Sequence, residues 1–310
     1  MFCCSVSGII SFVDAKVTII GAGAIGRGLS SLLEQKSISP ILWDSMPDKV
    51  ACQNPLAEAV SPAGFVFLCV PAQALKTVLV EIKPFLRSTA IIVGLSKGVC
   101  GDQGETAAEI LPNLLPKNQR WAVLGGPMLS EELKKDAGGV GVVGGGSPAV
   151  WRSLERLFAG TKLNLEFTTD AAGVSISGVL KNIYASVLGI TDGLGWGSNR
   201  KGWVAARAVS EMIAAVKQLG GKPKTFLGAA GLGDFLATGY SEISRNHKMG
   251  REIAEVGTVA TKSEGYFAVL PIAKRLGASP DNFPLLYTLS RVVEGKVSAR
   301  EAFNGVFGSG

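Results

Sequence analysis

Val17-Thr18-Ile19-Ile20-Gly21-Ala22-Gly23-Ala24-Ile25-Gly26 decides the fold. A short β-rich run feeds a G-x-G-x-x-G turn, and residues 25–33 continue as a helix. In such a turn the first glycine allows the tight bend. The second lets the backbone approach a pyrophosphate, and the third lets the helix pack on the strand. The helix then offers its first N–H groups and the positive end of its dipole to the phosphates. Gly21, Gly23, Ala24, Ile25 and Gly26 are the expected contacts of a dinucleotide. The next apolar run, Ile41-Leu42-Trp43, ends in Asp44. An acid there bonds the adenosine ribose hydroxyls and repels a 2′-phosphate. That favours NAD, while Ser45 and Arg27 leave NADP open.

Outward from this unit the alternation continues. Phe65-Val66-Phe67-Leu68-Cys69-Val70 reads as a third strand closed by Pro71, followed by a helix over about 73–82. Ala90-Ile91-Ile92-Val93, Trp121-Ala122-Val123-Leu124 and Val140-Gly141-Val142-Val143 read as three more strands. Strands alternating with helices predict an α/β fold with a Rossmann-type, doubly wound parallel sheet. After about residue 170 strand signals fade. Val209, Met212, Ile213, Val216 and Leu219 recur at helical spacing up to Gly220-Gly221, and 264–276 and 285–293 are further helices. The chain therefore divides into an N-terminal extension (1–15), a dinucleotide-binding domain (16–170) and an all-helical substrate and catalytic domain (171–310).

A length of 310 residues suits two such domains, and 47% apolar residues suffice for a core in each. The net charge of +6 suits anionic small molecules. The basic residues are scattered, without a basic-aromatic stripe, which argues against a nucleic-acid partner. Five cysteines and a single histidine show no metal-ligand spacing, so no metal is expected and the thiols read as free in a reducing compartment. The apolar start, residues 1–13, lacks a basic flank and is too short to span a bilayer, and no other run reads as a membrane helix. A cytoplasmic protein follows, with a homodimer left open.

A second glycine-rich stretch, Gly228-Ala229-Ala230-Gly231-Leu232-Gly233-Asp234-Phe235-Leu236-Ala237-Thr238, lies among helices and so is not another nucleotide turn. It leads to Ser244-Arg245-Asn246. Other short motifs share this order: Val70-Pro71-Ala72-Gln73-Ala74-Leu75, Ser96-Lys97-Gly98, Gly125-Gly126-Pro127, Gly178-Val179-Leu180-Lys181-Asn182, Asp192-Gly193-Leu194-Gly195 and Ser263-Glu264-Gly265. Together they resemble the NAD(P)-dependent glycerol-3-phosphate dehydrogenases, from about Lys16 to the final helices. The resemblance implies reversible reduction of dihydroxyacetone phosphate to sn-glycerol 3-phosphate, in supply of glycerolipid and phospholipid precursors. It puts Lys181 on the catalytic lysine, with Lys97 and Asp234 beside it. It puts Lys97, Gly126, Lys181, Asp234, Thr238, Ser244, Arg245 and Asn246 around the substrate. It puts Asp44, Pro71, Lys97, Ser130, Arg245 and Glu264, with the glycine turn, around the cofactor.

The chemistry agrees. Reducing a ketone develops negative charge on its oxygen, which a nearby cation stabilises and an acid protonates. His247 follows a polar run and reads as a solvated residue at a helix start, so a lysine has to serve. Lys181 lies in an apolar helical stretch, where burial would lower its pKa. Lys97 follows a strand, at the carboxyl end of the sheet where ligands bind, and Asp234 could orient either lysine. Arg245 suits bidentate phosphate recognition, with Ser244 and Asn246 adding bonds. Three positions depart from the family pattern: Ile25 replaces a tryptophan, Met128 replaces a hydroxyl residue near the substrate, and Asp44-Ser45 lacks an arginine associated with NADP. Two alternatives remain at this level. One is another Rossmann-plus-helical hydroxyacid dehydrogenase, against which Ser244-Arg245-Asn246 and the lack of a catalytic histidine weigh. The other is a non-catalytic nucleotide sensor, against which the retained Lys181 and Asp234 weigh.

Overall fold

The computed structural model describes residues 16–308 apart from 136, 242 and 258–261. The N-terminal extension read over 1–15, with Cys3 and Cys4, lies outside the described residues. The strands are β1 (Val17–Ile20), β2 (Ile41–Trp43), β3 (Phe65–Leu68), β4 (Ile91–Gly94), β5 (Arg120–Gly125), β6 (Gly139–Gly144) and β7 (Leu163–Thr168), in one sheet ordered β2-β1-β3-β4-β5-β6-β7. β1 to β5 run parallel, so the doubly wound expectation holds for them. β6 departs from it: it pairs antiparallel with β5, and β7 then runs parallel to β6. The connection between β5 and β6 carries only a five-residue helix (Ser130–Lys134), and an antiparallel neighbour needs no full crossover helix.

The other helices of this half are α1 (Ala24–Glu34), α2 (Leu56–Val60), α3 (Leu75–Ile82), α4 (Ala107–Leu114) and, after α5 (the Ser130–Lys134 helix), α6 (Pro148–Phe158). They cover both faces of the sheet. Leu29, Leu32 and Leu33 of α1 and Leu154 and Leu157 of α6 share one apolar cluster with alternate strand residues such as Ile19, Phe67 and Val93. Leu75 and Leu79 of α3 and Ile110 and Leu111 of α4 share the opposite cluster with Ile20, Val66 and Ile92. Strands buried on both faces are what a parallel sheet requires, and β1, β3 and β4 are buried throughout.

The last strand ends at Thr168, and α7 (Ala171–Gly193) opens behind Asp170, whose carboxylate caps it by accepting from the Gly173 N–H at 2.9 Å. Around α7 pack α8 (Ser198–Gln218), α9 (Pro223–Leu227), α10 (Asp234–Gly239), α11 (Arg245–Val256), α12 (Glu264–Leu276) and α13 (Pro284–Val293), and α14 (Ala299–Gly308) packs on α13 and α11. A π-helical turn, Ala229–Gly233, precedes α10. By length and composition α7 could cross a membrane, contrary to the sequence reading, but every residue from Gly173 to Thr191 is buried within the protein. α11 lies against it along a glycine seam. A Cβ at Gly189 would sit 2.0 Å from the His247 carbonyl oxygen, and one at Gly250 would sit 1.9 Å from that of Ser186. The two backbones touch because neither position carries a side chain. This close approach brings the start of α11 beside the middle of α7.

Candidate active site

The strand order reverses between β1 and β3, and ligands of open α/β sheets bind outside the carboxyl ends of strands at such a point. The glycine turn stands there. Gly21 has φ +102°, and a Cβ on it would lie 2.5 Å from the Cys69 carbonyl oxygen at the end of β3. Gly26 packs on the turn itself, where a Cβ would meet the Gly21 oxygen at 2.0 Å. Gly23, by contrast, faces open space. It is the N-cap of α1 and offers no capping side chain, and the first turn holds no acid. The N–H groups around Ala24 and Ile25 are thus unclaimed by a cap, and a pyrophosphate fits this cradle.

Asp44 closes the turn from below. Its Oδ2 accepts from the Ala22 N–H at 2.8 Å and its Oδ1 from the Met46 N–H at 3.0 Å, with the Lys49 ammonium 3.5 Å away. Burial alone would raise this carboxyl, but those bonds and Lys49 outweigh it and hold Asp44 below the usual carboxylate range. Pro71 follows β3 and opens the turn Ala72–Ala74. Ser130 starts α5 and lies against the second turn of α1, where a Cβ on Gly28 would approach its Cα to 3.5 Å.

Lys97, Gly126, Lys181 and Asp234, far apart in sequence, meet at the mouth of the sheet. Asp234, in the first turn of α10, is 1% exposed and stands between two ammonium groups. Lys97 Nζ is 2.5 Å from its Oδ2 and also donates to the Gly126 carbonyl oxygen at 2.7 Å. Lys181 Nζ is 3.1 Å from its Oδ1 and donates to Thr238 Oγ1 at 2.9 Å. The Thr238 hydroxyl in turn donates to Asp234 Oδ1 at 3.2 Å. Gly126 can present its carbonyl here because it has φ +101°, and a Cβ would strike the Val140 oxygen. Burial pushes Lys181 down and Lys97 adds to that, Asp234 pulls it part of the way back up, and it comes to rest at about 8. Burial works against the charge of Asp234 too, but the two lysines prevail and keep it ionised below its ordinary range. The result is an amine poised near neutral pH, held by a fixed carboxylate, with Lys97 on the more open side.

The remaining sequence-derived residues frame this cluster. Glu264 starts α12 and accepts from the Ala72 N–H at 3.0 Å, which ties the helical half to the end of β3. Arg245 is exposed in the first turn of α11. Ser244 is its N-cap, accepting from the His247 N–H at 3.3 Å. Asn246 is buried and committed at both ends of its amide: Nδ2 donates to Asn182 Oδ1 at 2.8 Å, and Oδ1 accepts from the Gly265 N–H at 3.0 Å. Asn182 completes the chain by donating to the Lys97 carbonyl oxygen at 2.7 Å. Sequence reasoning passed over Asn182, although it stands next to Lys181 in a quoted motif. Met128, at the position expected to lack a substrate hydroxyl, is buried in the sheet core with Leu124 and Leu133.

His247 corrects the sequence reading. It is buried, not solvated, and its Nε2 lies 2.7 Å from Asp192 Oδ2 near the end of α7. Lys201 of α8 pairs with the other oxygen of Asp192. The histidine follows the helix start, as expected, but the glycine seam presses that turn into α7.

Hydride transfer to a carbonyl needs a pyrophosphate cradle and a proton source kept from bulk water, side by side. This chain has both, one on each half, which places it in the class of dinucleotide-dependent dehydrogenases with a helical second half. Residues 44–145 match the NAD-dependent glycerol-3-phosphate dehydrogenase N-terminus, and residues 170–304 match the C-terminus of the same family. The chain belongs to the NAD-dependent glycerol-3-phosphate dehydrogenase family. It is 30% identical over 321 residues to the glycerol-3-phosphate dehydrogenase (NAD(P)+) of Citrifermentans bemidjiense, covering 93% of this chain and 95% of that protein. It is 33% identical over 263 residues to that of Carboxydothermus hydrogenoformans, covering 77% and 78%. In fold it resembles the crystal structure of glycerol-3-phosphate dehydrogenase from Coxiella burnetii, with a TM-score of 0.86 at 23% identity over 95% of this chain and 99% of that one.

Proposed function

We propose that the protein interconverts dihydroxyacetone phosphate and sn-glycerol 3-phosphate with NAD(H) or NADP(H), using Lys181 as general acid and base. The observation that carries this is the Lys181–Asp234–Lys97 cluster at the carboxyl end of the sheet, with Lys181 and Asp234 buried. Residues 16–170 serve as the dinucleotide-binding domain and residues 171–310 as the substrate domain, in a cytoplasmic enzyme.

The bound nicotinamide supplies or accepts the hydride. The rest falls to the chain. Two of the bonds around Lys181 Nζ hold it to Thr238 and Asp234, and a third ammonium hydrogen can point at the substrate carbonyl. In reduction Lys181 gives its proton to that oxygen as charge develops, and in oxidation it takes the proton back. Lys97, fixed by Gly126 and Asp234, adds a second positive charge near the developing alkoxide. Arg245 grips the substrate phosphate through two N–H groups, and the Ser244 hydroxyl adds a donor. Asn182 and Asn246 hold α7, α11 and α12 in one arrangement around these groups. Burial of Lys181 and Asp234 keeps water from competing for the proton.

The test is a spectrophotometric assay of purified protein with dihydroxyacetone phosphate, following NADH and NADPH oxidation separately. Turnover that requires this ketone is expected. No turnover with it, and turnover with an unphosphorylated keto acid, would overturn the proposal. Light scattering on the same preparation reads whether the active species is a homodimer.

A further inference from the structure

Lys181 and Asp234 stand on the helical half, but Lys97 belongs to the other half, in the loop that joins β4 to α4. Two ammonium groups can share one carboxylate only while that loop keeps its register with α7 and α10. At the root of the loop Lys97 is held directly. Its carbonyl oxygen accepts from Asn182 Nδ2 at 2.7 Å, and its stem lies on Gly178, where a Cβ would sit 3.3 Å from Lys97 Cγ. Further along, the loop forms a tight hairpin. Cys100 and Glu105 exchange backbone bonds there around Gly101 and Gly104, each at φ +64°. This hairpin is gripped from three sides. Lys76 of α3 pairs with Glu105. Glu109 of α4 accepts from the Thr106 N–H at 2.8 Å and from its hydroxyl at 2.9 Å, which closes the capping box of that helix. Arg275 reaches over from the last turn of α12: Nη1 donates to the Gly104 carbonyl oxygen at 2.7 Å and to Glu109 Oε2 at 3.1 Å, and Nη2 donates to Glu109 Oε1 at 2.8 Å.

The loop lies flush on α12 at both ends. A Cβ on Gly104 would meet Pro271 Cβ at 3.0 Å and Arg275 Cδ at 3.2 Å. A Cβ on Gly98, next to Lys97, would meet the Glu264 carboxyl carbon at 3.2 Å. From Glu264 to Arg275 the helix runs roughly 16 Å, so it backs the loop from its root to its tip. We propose that Arg275 is a positioning residue for the reaction: forked onto Glu109, it splints the Lys97 loop against α12 and so fixes where the Lys97 ammonium stands relative to Asp234 and Lys181. The proposal rests on the reading of Lys181 as general acid and base. The side chains of the pair are 25% and 38% exposed, and an ion pair so placed adds little to stability, which leaves register as its contribution. The charged groups facing Lys181 are Asp234 of α10 and Glu264 of α12, which raise its pKa, and Lys97, which lowers it. If the loop loosens, Lys97 withdraws and Asp234 is left to Lys181 alone. Both changes move Lys181 upward. Glu264 keeps its place through its own bond to the Ala72 N–H.

The test is the pH profile of kcat for ketone reduction, with NADH affinity read by calorimetry. Arg275→Met is expected to lower kcat by about 10-fold, short of the loss that a group misplaced by about 1 Å brings. The midpoint of its profile is expected to move up from the wild-type value of about 8, by about half a pH unit, because a neighbouring positive charge has been drawn away. NADH affinity is expected to stay at the wild-type level. Glu109→Gln is the second variant and decides the matter if Arg275→Met does not fold. Glutamine also serves in a capping box, so the start of α4 is kept while the charge under the fork is removed. Its midpoint is expected to move in the same direction by a smaller amount. A lower kcat with an unmoved midpoint would mean only lost active protein, and wild-type kcat and midpoint in both variants would mean no role. Either result overturns the positioning role and leaves Lys181 in place. A wild-type profile without a midpoint near 8 would fall on Lys181 itself and remove the positioning role with it.

Discussion

The two ends of the candidate active site are built in opposite ways. The nucleotide end is backbone: a turn of six consecutive residues, closed by Gly21 and Gly26 and opened by Gly23. The proposed acid–base end is side chain: Lys97 from the loop after β4, Lys181 from the middle of α7, and Asp234 and Thr238 from α10. A backbone cradle binds phosphates through the start of one helix and needs little help from afar. A buried ammonium needs a partner fixed by distant packing, because an unpaired one would shed its proton. Changes at the first end should therefore act on nucleotide affinity. Changes at the second should act on rate and on pH dependence.

The sharpest break in that contrast is Lys181→Met. It keeps an apolar stem and removes the proton. We expect kcat to fall by about 100-fold or more, the usual loss with a positioned acid or base, with NADH affinity nearly unchanged by calorimetry. A folded variant that binds NADH and turns over at the wild-type rate would shift the role to Lys97. The pH profile belongs to the same test. A general acid at about 8 means that ketone reduction weakens as pH rises through about 8, while alcohol oxidation strengthens over the same range.

Asp234→Asn comes next. It keeps the shape and removes the charge that holds Lys181 up, so the midpoint of the reduction profile should move below the wild-type value near 8. We expect kcat to drop by up to about 100-fold, the cost of a misplaced reacting group. An unmoved midpoint would show that Asp234 only orients. Arg245→Lys should lower kcat/KM for the phosphorylated ketone by roughly 10-fold or more, since lysine cannot copy a bidentate grip. Unphosphorylated dihydroxyacetone separates the causes: activity towards it should hardly change. Equal loss with both substrates would place Arg245 in folding or cofactor binding.

The smallest effect is expected at His247. Its bond to Asp192 is outside the reacting cluster, so His247→Ala should leave kcat within about twofold and cost about 1–2 kcal/mol of stability, the worth of one buried polar contact. Thermal denaturation reads the second figure. A large fall in kcat would mean that the Asp192–His247 pair sets the placement of Arg245 and Asn246.

The same contrast explains what the sequence made legible. The glycine turn, Asp44 and the apolar strands are local patterns, and the structure places β1 and β2 where they were read. β7 was missed because Leu163, Leu165 and Phe167 alternate with Asn164 and Glu166, giving an edge strand without the unbroken apolar run of its neighbours. The direction of β6 was missed because an apolar run has no polarity. α2 and α5, at five residues each, are too short for helical periodicity to show. The lysine cluster became readable only through motif order, since nothing local joins Lys97 to a residue 137 positions on. His247 was misread because its own neighbours are polar, while its burial is set by a glycine and an aspartate on another helix.

α7 has a consequence during synthesis. It carries Lys181 because it runs through the centre of the helical half, and that position leaves it largely apolar and buried on all sides. Chains fold largely from the N-terminus as they emerge, so the sheet and α7 exist before α8 to α13 are made. In that interval a 23-residue apolar helix lacks most of the surface that later covers it. A chain stopped soon after Gly195 would hold α7 permanently in that condition. It is expected to aggregate, or to be held by a chaperone, even with its glycine turn fully made.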